Sequence, residues 1–277
     1  MPEFPLLEHA GIHRSAGVVT ATSKGTVATA AASLHTKGAF VELIASTTIE
    51  CGFLTVFING GSVASNYLVD IALGPATERV IIANLLIAPS HAIQAGYAYQ
   101  FPISIPAGTR ISARCQQDKG AVSATIDVSL ILSDPSISSF PAFQRVETFG
   151  AITTPTTEGT TLDPGATPNV KPATYTTLVA ATAHAYRWLT LGFGRDAVTT
   201  TASRRWLLDI ALGASSSERI IMADIQVDYE ATADMPAPLT FALPVSIPAG
   251  SRISGRVAVS EASATSRLLQ VIGYGVG

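Results

Sequence analysis

The sequence predicts an all-β protein made of two tandem β-sandwich, jelly-roll-like domains that arose by internal duplication. Three observations carry this. Hydrophobic residues make up 47% of the chain and charged ones only 13%, and the apolar residues come in short runs broken by Gly, Pro, Thr and Ser. A nine-residue phrase occurs twice, SIPAGTRIS at 104 to 112 and SIPAGSRIS at 246 to 254. Around it, residues alternate with a period of two: Tyr97, Tyr99, Phe101, Ile103 and Ile105 in the first half, and Leu239, Phe241, Leu243, Val245 and Ile247 in the second. That is the period of a strand with one buried face.

The duplication runs almost end to end. LIAST at 43 to 47 faces LVAAT at 178 to 182, and FLTV at 53 to 56 faces WLTL at 188 to 191. YLVDIALG at 67 faces WLLDIALG at 206, ERVII at 78 faces ERIIM at 218, and SATIDVSLIL at 123 faces SATSRLLQVI at 263. Drifts in the offset mark insertions that surface loops accept. The expected domains are an N-terminal arm at 1–10, a first sandwich at 11–134, a Pro- and Ser-rich linker at 135–144 and a second sandwich at 145–277.

Each element has a local reason. GVVTAT and GAITTP open the two copies as strands, and about seven or eight strands are expected per domain. A short piece near TVATAAASL is the one candidate helix. DIALGPATERVII and DIALGASSSERIIM each read as two β-prone runs joined by a hairpin loop. In IPAG the Pro and Gly suit the second and fourth positions of a type I turn, so the repeated phrase reads as a tight hairpin. After it, Arg110, Ser112 and Arg114 share one strand face, as do Arg252, Ser254 and Arg256.

Charges that recur in both copies are the first candidates for chemistry: Asp70 and Asp209, Glu78 and Glu218, Arg79 and Arg219, Arg110 and Arg252, Arg114 and Arg256. Beside turns and on strand faces they are expected to form cross-strand ion pairs, with Asp70 paired to an arginine of the strand after IPAG. The five histidines, His9, His13, His35, His91 and His184, recur at no aligned position in the two copies, and no metal or cofactor is expected. Cys51 and Cys115 lack CxxC spacing and read as buried free thiols. No GxSxG, SxxK, GxGxxG or P-loop motif occurs, so no catalytic residues are nominated and an enzyme is not expected. A glycosidase would need two acids converging in a cleft, and the sequence reveals no such pair. Trp188 and Trp206, aligned with Phe53 and Tyr67, read as core residues.

A net charge of -3 with scattered signs gives no footprint for nucleic acid, and no apolar run is long enough for a spanning helix. MPEFPLLEHAG lacks the features of a secretory signal, which points to a chain kept in the cytoplasm. Its apolar Phe4, Pro5, Leu6 and Leu7 are candidates to grip a neighbour. DIALGxxxERVIIxNLL followed by PISIPAGTRISAR resembles structural proteins of tailed bacteriophages and phage-like particles. The resemblance covers both copies and implies a virion component assembled in the host cytoplasm. Its expected role is a capsid decoration, cement or spike-base protein that contacts the major capsid protein or neighbouring head and tail proteins. A tail or fibre component binding a receptor or carbohydrate is the alternative, with NGGSVASN and GRDAVTTTASRR as its candidate loops. A homo-oligomer is expected, and a trimer would present six similar sandwiches.

Overall fold

The computed structural model describes residues 13–17, 24–62, 65–75, 77–88, 97–120, 124–137, 141–195, 204–229, 240–261 and 267–277. The expected arm at 1–10 and the centre of GRDAVTTTASRR lie outside the described residues. The described residues are all β, with one short 3-10 turn among them at Pro135–Ile137. No helix among the described residues is long and apolar enough to cross a membrane.

The first sandwich uses β1 (His13–Ala16), β2 (Thr26–Thr29), β3 (Val41–Ile44), β4 (Phe53–Gly61), β5 (Tyr67–Leu73), β6 (Arg79–Ile87), β7 (Tyr97–Phe101), β8 (Ile111–Gln117) and β9 (Thr125–Ser133). Sheet I runs β1-β9-β4-β7, with β2 also on β9, and sheet II runs β3-β8-β5-β6. The second sandwich uses β10 (Val146–Phe149), β11 (Ala151–Ile152), β12 (Glu158–Leu162), β13 (Thr176–Val179), β14 (Tyr186–Arg195), β15 (Arg204–Leu212), β16 (Arg219–Tyr229), β17 (Thr240–Ile247), β18 (Ile253–Val259) and β19 (Leu269–Val276). Sheet III runs β11-β12-β19-β14-β17, with β10 also on β19, and sheet IV runs β13-β18-β15-β16. Each sandwich thus interleaves its first and last strands in the order of a jelly roll. The extra strands arise because the opening segment of each copy is split in two along β9 or β19.

The repeated phrase is a corner between sheets, which corrects the hairpin expectation. β7 belongs to sheet I and β8 to sheet II, and β17 and β18 divide in the same way between sheets III and IV. Alternation shows that both flanking strands bury a face. It does not say with which strand each one pairs. The corner is held from outside by a buried threonine. Thr47 Oγ1 donates to Pro106 O (2.9 Å) and accepts the Thr109 N–H (3.0 Å), while Gly108 N–H donates to Thr47 O (2.7 Å). Thr182 repeats the clamp on Pro248, Ser251 and Gly250. Gly108 and Gly250 lie at φ +80° and +76°, where a side chain is strained.

The two DIALG hairpins form as expected, β5 pairing with β6 and β15 with β16. TVATAAASL is no helix: β2 takes Thr26–Thr29, whose alternating burial places Ala28 in the core. The last aligned phrase slips. Thr55 lies opposite Ile131 and Thr190 opposite Tyr274, so Ile131 and Tyr274 are equivalent, three residues away from the match the letters suggest. An odd slip exchanges the two faces of a strand.

The connector is docked, not free. Ser104 N–H donates to Phe143 O (2.7 Å) and Phe143 N–H to Pro102 O (2.8 Å). Beyond it, the second sandwich closes the open side of the first. The Tyr274 hydroxyl donates to Asn84 O (2.7 Å) and accepts the Leu86 N–H (3.0 Å), so it seals the free edge of β6. Thr148 Oγ1 donates to Ala83 O (2.7 Å) and Tyr99 Oη to Leu86 O (2.6 Å). Tyr274 meets Tyr99 and Phe101 edge-on, at centroid distances of 5.5 and 5.9 Å. Close approach depends on glycine: a Cβ on Gly192 would lie 2.4 Å from Tyr99 Oη, and one on Gly194 would lie 3.0 Å from Leu86 Cδ2. The central strands of sheet III, β14 and β19, are therefore buried on both faces over most of their length. Trp188 belongs to this junction and not to its own sandwich core: it is T-shaped to Phe53 at 6.0 Å, and its indole N–H donates toward Gln100 O at 3.3 Å.

Candidate functional site

The duplicated charges assemble on the outer faces of sheets II and IV, once per domain. β5 lies beside β8 with Asp70 opposite Arg114, and β15 beside β18 with Asp209 opposite Arg256. The Asp70 carboxylate accepts from Arg114 Nε (2.9 Å), Lys37 Nζ (2.8 Å) and the Asn84 N–H (3.0 Å). Asp209 accepts from Arg256 Nε (3.0 Å), Lys171 Nζ (2.5 Å) and the Asp224 N–H (3.1 Å). Lys171 also bonds the Asp224 carboxylate, as Lys37 bonds the Asn84 amide. Arg114 lies over the Phe40 ring at 4.4 Å and Arg256 over Tyr175 at 4.6 Å. The expected pairing of Asp70 with an arginine after IPAG is present in both copies.

A second set sits at the tip of each sandwich. Arg110 donates to Glu42 (2.8 Å), Glu78 (3.0 Å) and Gly74 O (3.1 Å). Arg252 donates to Thr177 Oγ1 (3.0 Å), Glu218 (2.8 Å) and Gly213 O (3.2 Å). Arg79 and Arg219 do not join these networks. Arg79 lines a groove with Gln144 and Arg145 at the domain junction, and Arg219 lines one with Ser215, Ser217 and Ser251.

Four members were missed by sequence reasoning: Lys37, Lys171, Asn84 and Asp224. A signal was present for the lysines, which precede a ring at matching places, Phe40 and Tyr175. Asn84 and Asp224 sit at φ +58° and +55° in strand irregularities that present their backbone N–H to the aspartate. Burial lowers the Lys37 pKa against the pull of Asp70. For Lys171 burial acts the same way, yet Asp209 and Asp224 outweigh it and raise the pKa. Asp209 is likewise disfavoured by burial but held below the usual carboxylate range by Lys171, the Asp224 N–H and Arg256. Two cations, Lys171 and Arg256, face two anions, Asp209 and Asp224, in the second copy, which leaves that network neutral.

A third cluster spans the junction. Asp118 accepts from Ser65 Oγ (2.6 Å), the Asn66 N–H (2.9 Å) and Asn66 Nδ2 (2.8 Å). The same amide nitrogen reaches Glu158 of the second domain at 3.3 Å, and Gln270 Nε2 donates to the other Glu158 oxygen at 2.5 Å. Two acids from different domains thus meet one asparagine, a convergence invisible in the sequence. Asn66 and Gln270 are buried, so the cluster's hydrogen bonds lock the domains together.

His13 bonds Ser133 Oγ (2.9 Å) and His35 bonds Thr157 Oγ1 across the junction (2.8 Å), while His184 is exposed. His9 and His91 lie outside the described residues. Among the described residues no group of His, Cys, Asp and Glu could hold a metal ion. Cys51 and Cys115 are buried free thiols, pushed up by desolvation to about 11 and about 12.

No family model matches the chain, and no curated protein is significantly similar to it. Among solved structures it is similar to PNGF-II, with a TM-score of 0.40 and 8% identity over 96% of this chain and 65% of that one. The chain therefore spans just under two thirds of the length of that protein. PNGase F, a glycosylasparaginase from Flavobacterium meningosepticum, gives a TM-score of 0.39 and 9% identity, covering 96% of this chain and 95% of that one. A tandem CBM22 domain from Paenibacillus barcinonensis Xyn10C gives 0.26 and 8%, covering 97% and 92%. Similarity this distant identifies neither a family nor an activity.

Proposed function

We propose that this chain is a non-enzymatic structural protein of a virion, a decoration, cement or spike-base component that works through its surface. One observation carries the reading. The duplicated charges other than Arg79 and Arg219 are spent on each other, and the two sandwiches are welded through a junction that buries β14 and β19 on both faces. Such a chain presents a stiff two-lobed body whose repeated internal wording serves corners and ion pairs. The phrases that resemble phage structural proteins fall on those same parts, which supports the reading. Its partners are then neighbouring capsid, head or tail proteins.

The test is co-sedimentation of the purified chain with particles lacking it, followed by reconstruction of the particle by electron microscopy. Ordered density for two adjacent jelly rolls on the particle surface is expected; absence of binding to any particle component overturns the proposal. A second reading, a tail or fibre component binding host receptor or carbohydrate, is favoured by the meeting of Asp118 and Glu158 at Asn66. It requires glycan binding that Asp118→Asn and Glu158→Gln both abolish. A glycan array without hits removes it.

A further inference from the structure

We infer that the uncovered side of the second sandwich receives the outer face of sheet I of another copy, in a head-to-tail contact. This inference rests on the reading of the chain as an assembly protein. The duplication provides an internal comparison. Leu68 and Leu86, cross-strand neighbours on the outer face of sheet II, are both 0% exposed beneath the second sandwich. Their counterparts on sheet IV are Leu207, 38% exposed, and Gln226, also exposed. Tyr99, Phe101 and Ile103 are sealed, whereas Phe241, Leu243 and Val245 at the same places are only half-buried. The edge of β6 is capped by hydroxyls of Tyr274, Thr148 and Tyr99; among the described residues nothing outside sheet IV bonds the backbone edge of β16.

What fills the first opening shows what suits the second. It is the outer face of the sheet that carries β14 and β19. In each copy that face is already used, and one equivalent remains, the outer face of β4 and β9. There Thr55, Phe57, Asn59 and Ile131 stand where Thr190, Gly192, Gly194 and Tyr274 stand in sheet III. The two surfaces differ from the intramolecular pair in step. Leu86 against Gly194 becomes Gln226 against Asn59, amide to amide, and Tyr99 against Gly192 becomes Phe241 against Phe57, ring to ring. The larger side chains hold these sheets farther apart than the domains of one chain. The receiving surface is continuous with the existing junction, because Thr240 beside Phe241 already donates to Ala98 O (2.6 Å). A heterologous contact of this kind closes into a ring when its rotation permits, and three copies would give six sandwiches around an axis.

Mass measurement by sedimentation equilibrium tests this with two double variants. Leu207→Glu with Phe241→Glu disables the receiving side; Phe57→Glu with Ile131→Glu disables the giving side. The wild-type chain is expected to form a closed oligomer at micromolar concentration, and each variant to be monomeric with an unchanged circular dichroism spectrum and melting temperature. Mixing the two variants then yields a one-to-one dimer and nothing larger, because one intact surface remains on each. A monomeric wild-type chain overturns the inference, as does a variant that keeps the wild-type mass or a mixture that stays monomeric. Should a variant fail to fold, the milder pair Leu207→Gln and Phe57→Ser replaces it under the same criteria. A monomeric wild-type chain that still binds particles sinks this inference and leaves the proposed function intact; a ring that binds no particle does the reverse.

Discussion

Ser112 and Ser254 occupy equivalent places in the repeated phrase, and both hydroxyls are fully buried without a hydrogen-bond partner among the described residues. An unsatisfied buried polar group costs roughly 1–3 kcal/mol. Ser112→Ala and Ser254→Ala are therefore expected to stabilise the protein by about 1 kcal/mol each, read from urea unfolding midpoints at constant slope. Asp70 has the opposite character. Its carboxylate is buried while Lys37 and Arg114 keep some contact with water, so Asp70→Asn strands two cations that are partly screened. A loss of about 2 kcal/mol is expected, less than the roughly 3–5 kcal/mol of a fully buried broken pair. Acid should show the same dependence in the second copy. The Asp209 pKa is depressed on folding, so its contribution is present above the unfolded value and is lost as pH falls through the folded one. Stability of Asp209→Asn should accordingly fall less steeply below about pH 4 than that of the parent chain. Such pairs were legible in the sequence because both copies repeat the Asp of DIAL and the two arginines after IPAG. Lys37 and Lys171 carried a weaker signal: each precedes a ring, Phe40 or Tyr175, but reaches its aspartate from a loop that no local pattern ties to β5 or β15.

Among the elements, the corner is the part whose meaning changed most between sequence and structure. Its Pro and Gly announce a turn, and Gly108 and Gly250 do take positive φ. Whether the chain doubles back or crosses to the other sheet depends on which strands lie alongside, and that is settled by β5 and β4, some 30 to 50 residues away. The Thr47 and Thr182 clamps belong to the crossing. Thr47→Val removes a donor and an acceptor at once and is expected to cost about 1–2 kcal/mol, measured by chemical denaturation. Gly108→Ala meets no atom within 4 Å, so its cost is backbone strain alone, about 1 kcal/mol. The slip of β19 against β9 has a related origin. The letters SAT align, but β19 places Gly273 and Gly275 under the Phe149 and Tyr186 rings, and that packing sets the register. Strand class and hairpin loops, in contrast, followed directly from alternation and from DIALG.

Taken whole, the molecule was readable as two copies of one sandwich but not as one body, because the junction is written in residues that look ordinary. Gly192, Gly194 and Thr190 carry no motif; only the presence of Tyr99 and Leu86 opposite gives them a role. Gly192→Val is expected to part the domains, turning a single thermal transition into two in calorimetry and raising amide exchange in β6 and β7. Thr190→Val, which loses the bond to Gln100 O at 2.8 Å and the acceptor for the Trp188 indole N–H at 3.1 Å, should leave the transition single. The two-sided burial of β14 and β19 also bears on how the chain is made. On the ribosome the first half emerges before the second can pack on the flank between β6 and β7, and among the described residues no later strand of its own covers that flank. Until β14 and β19 have left the exit tunnel, that flank is a sticky surface in a crowded cell. Synthesis of residues 1 to 134 alone should therefore give aggregates, and supplying the second half as a separate polypeptide should restore solubility.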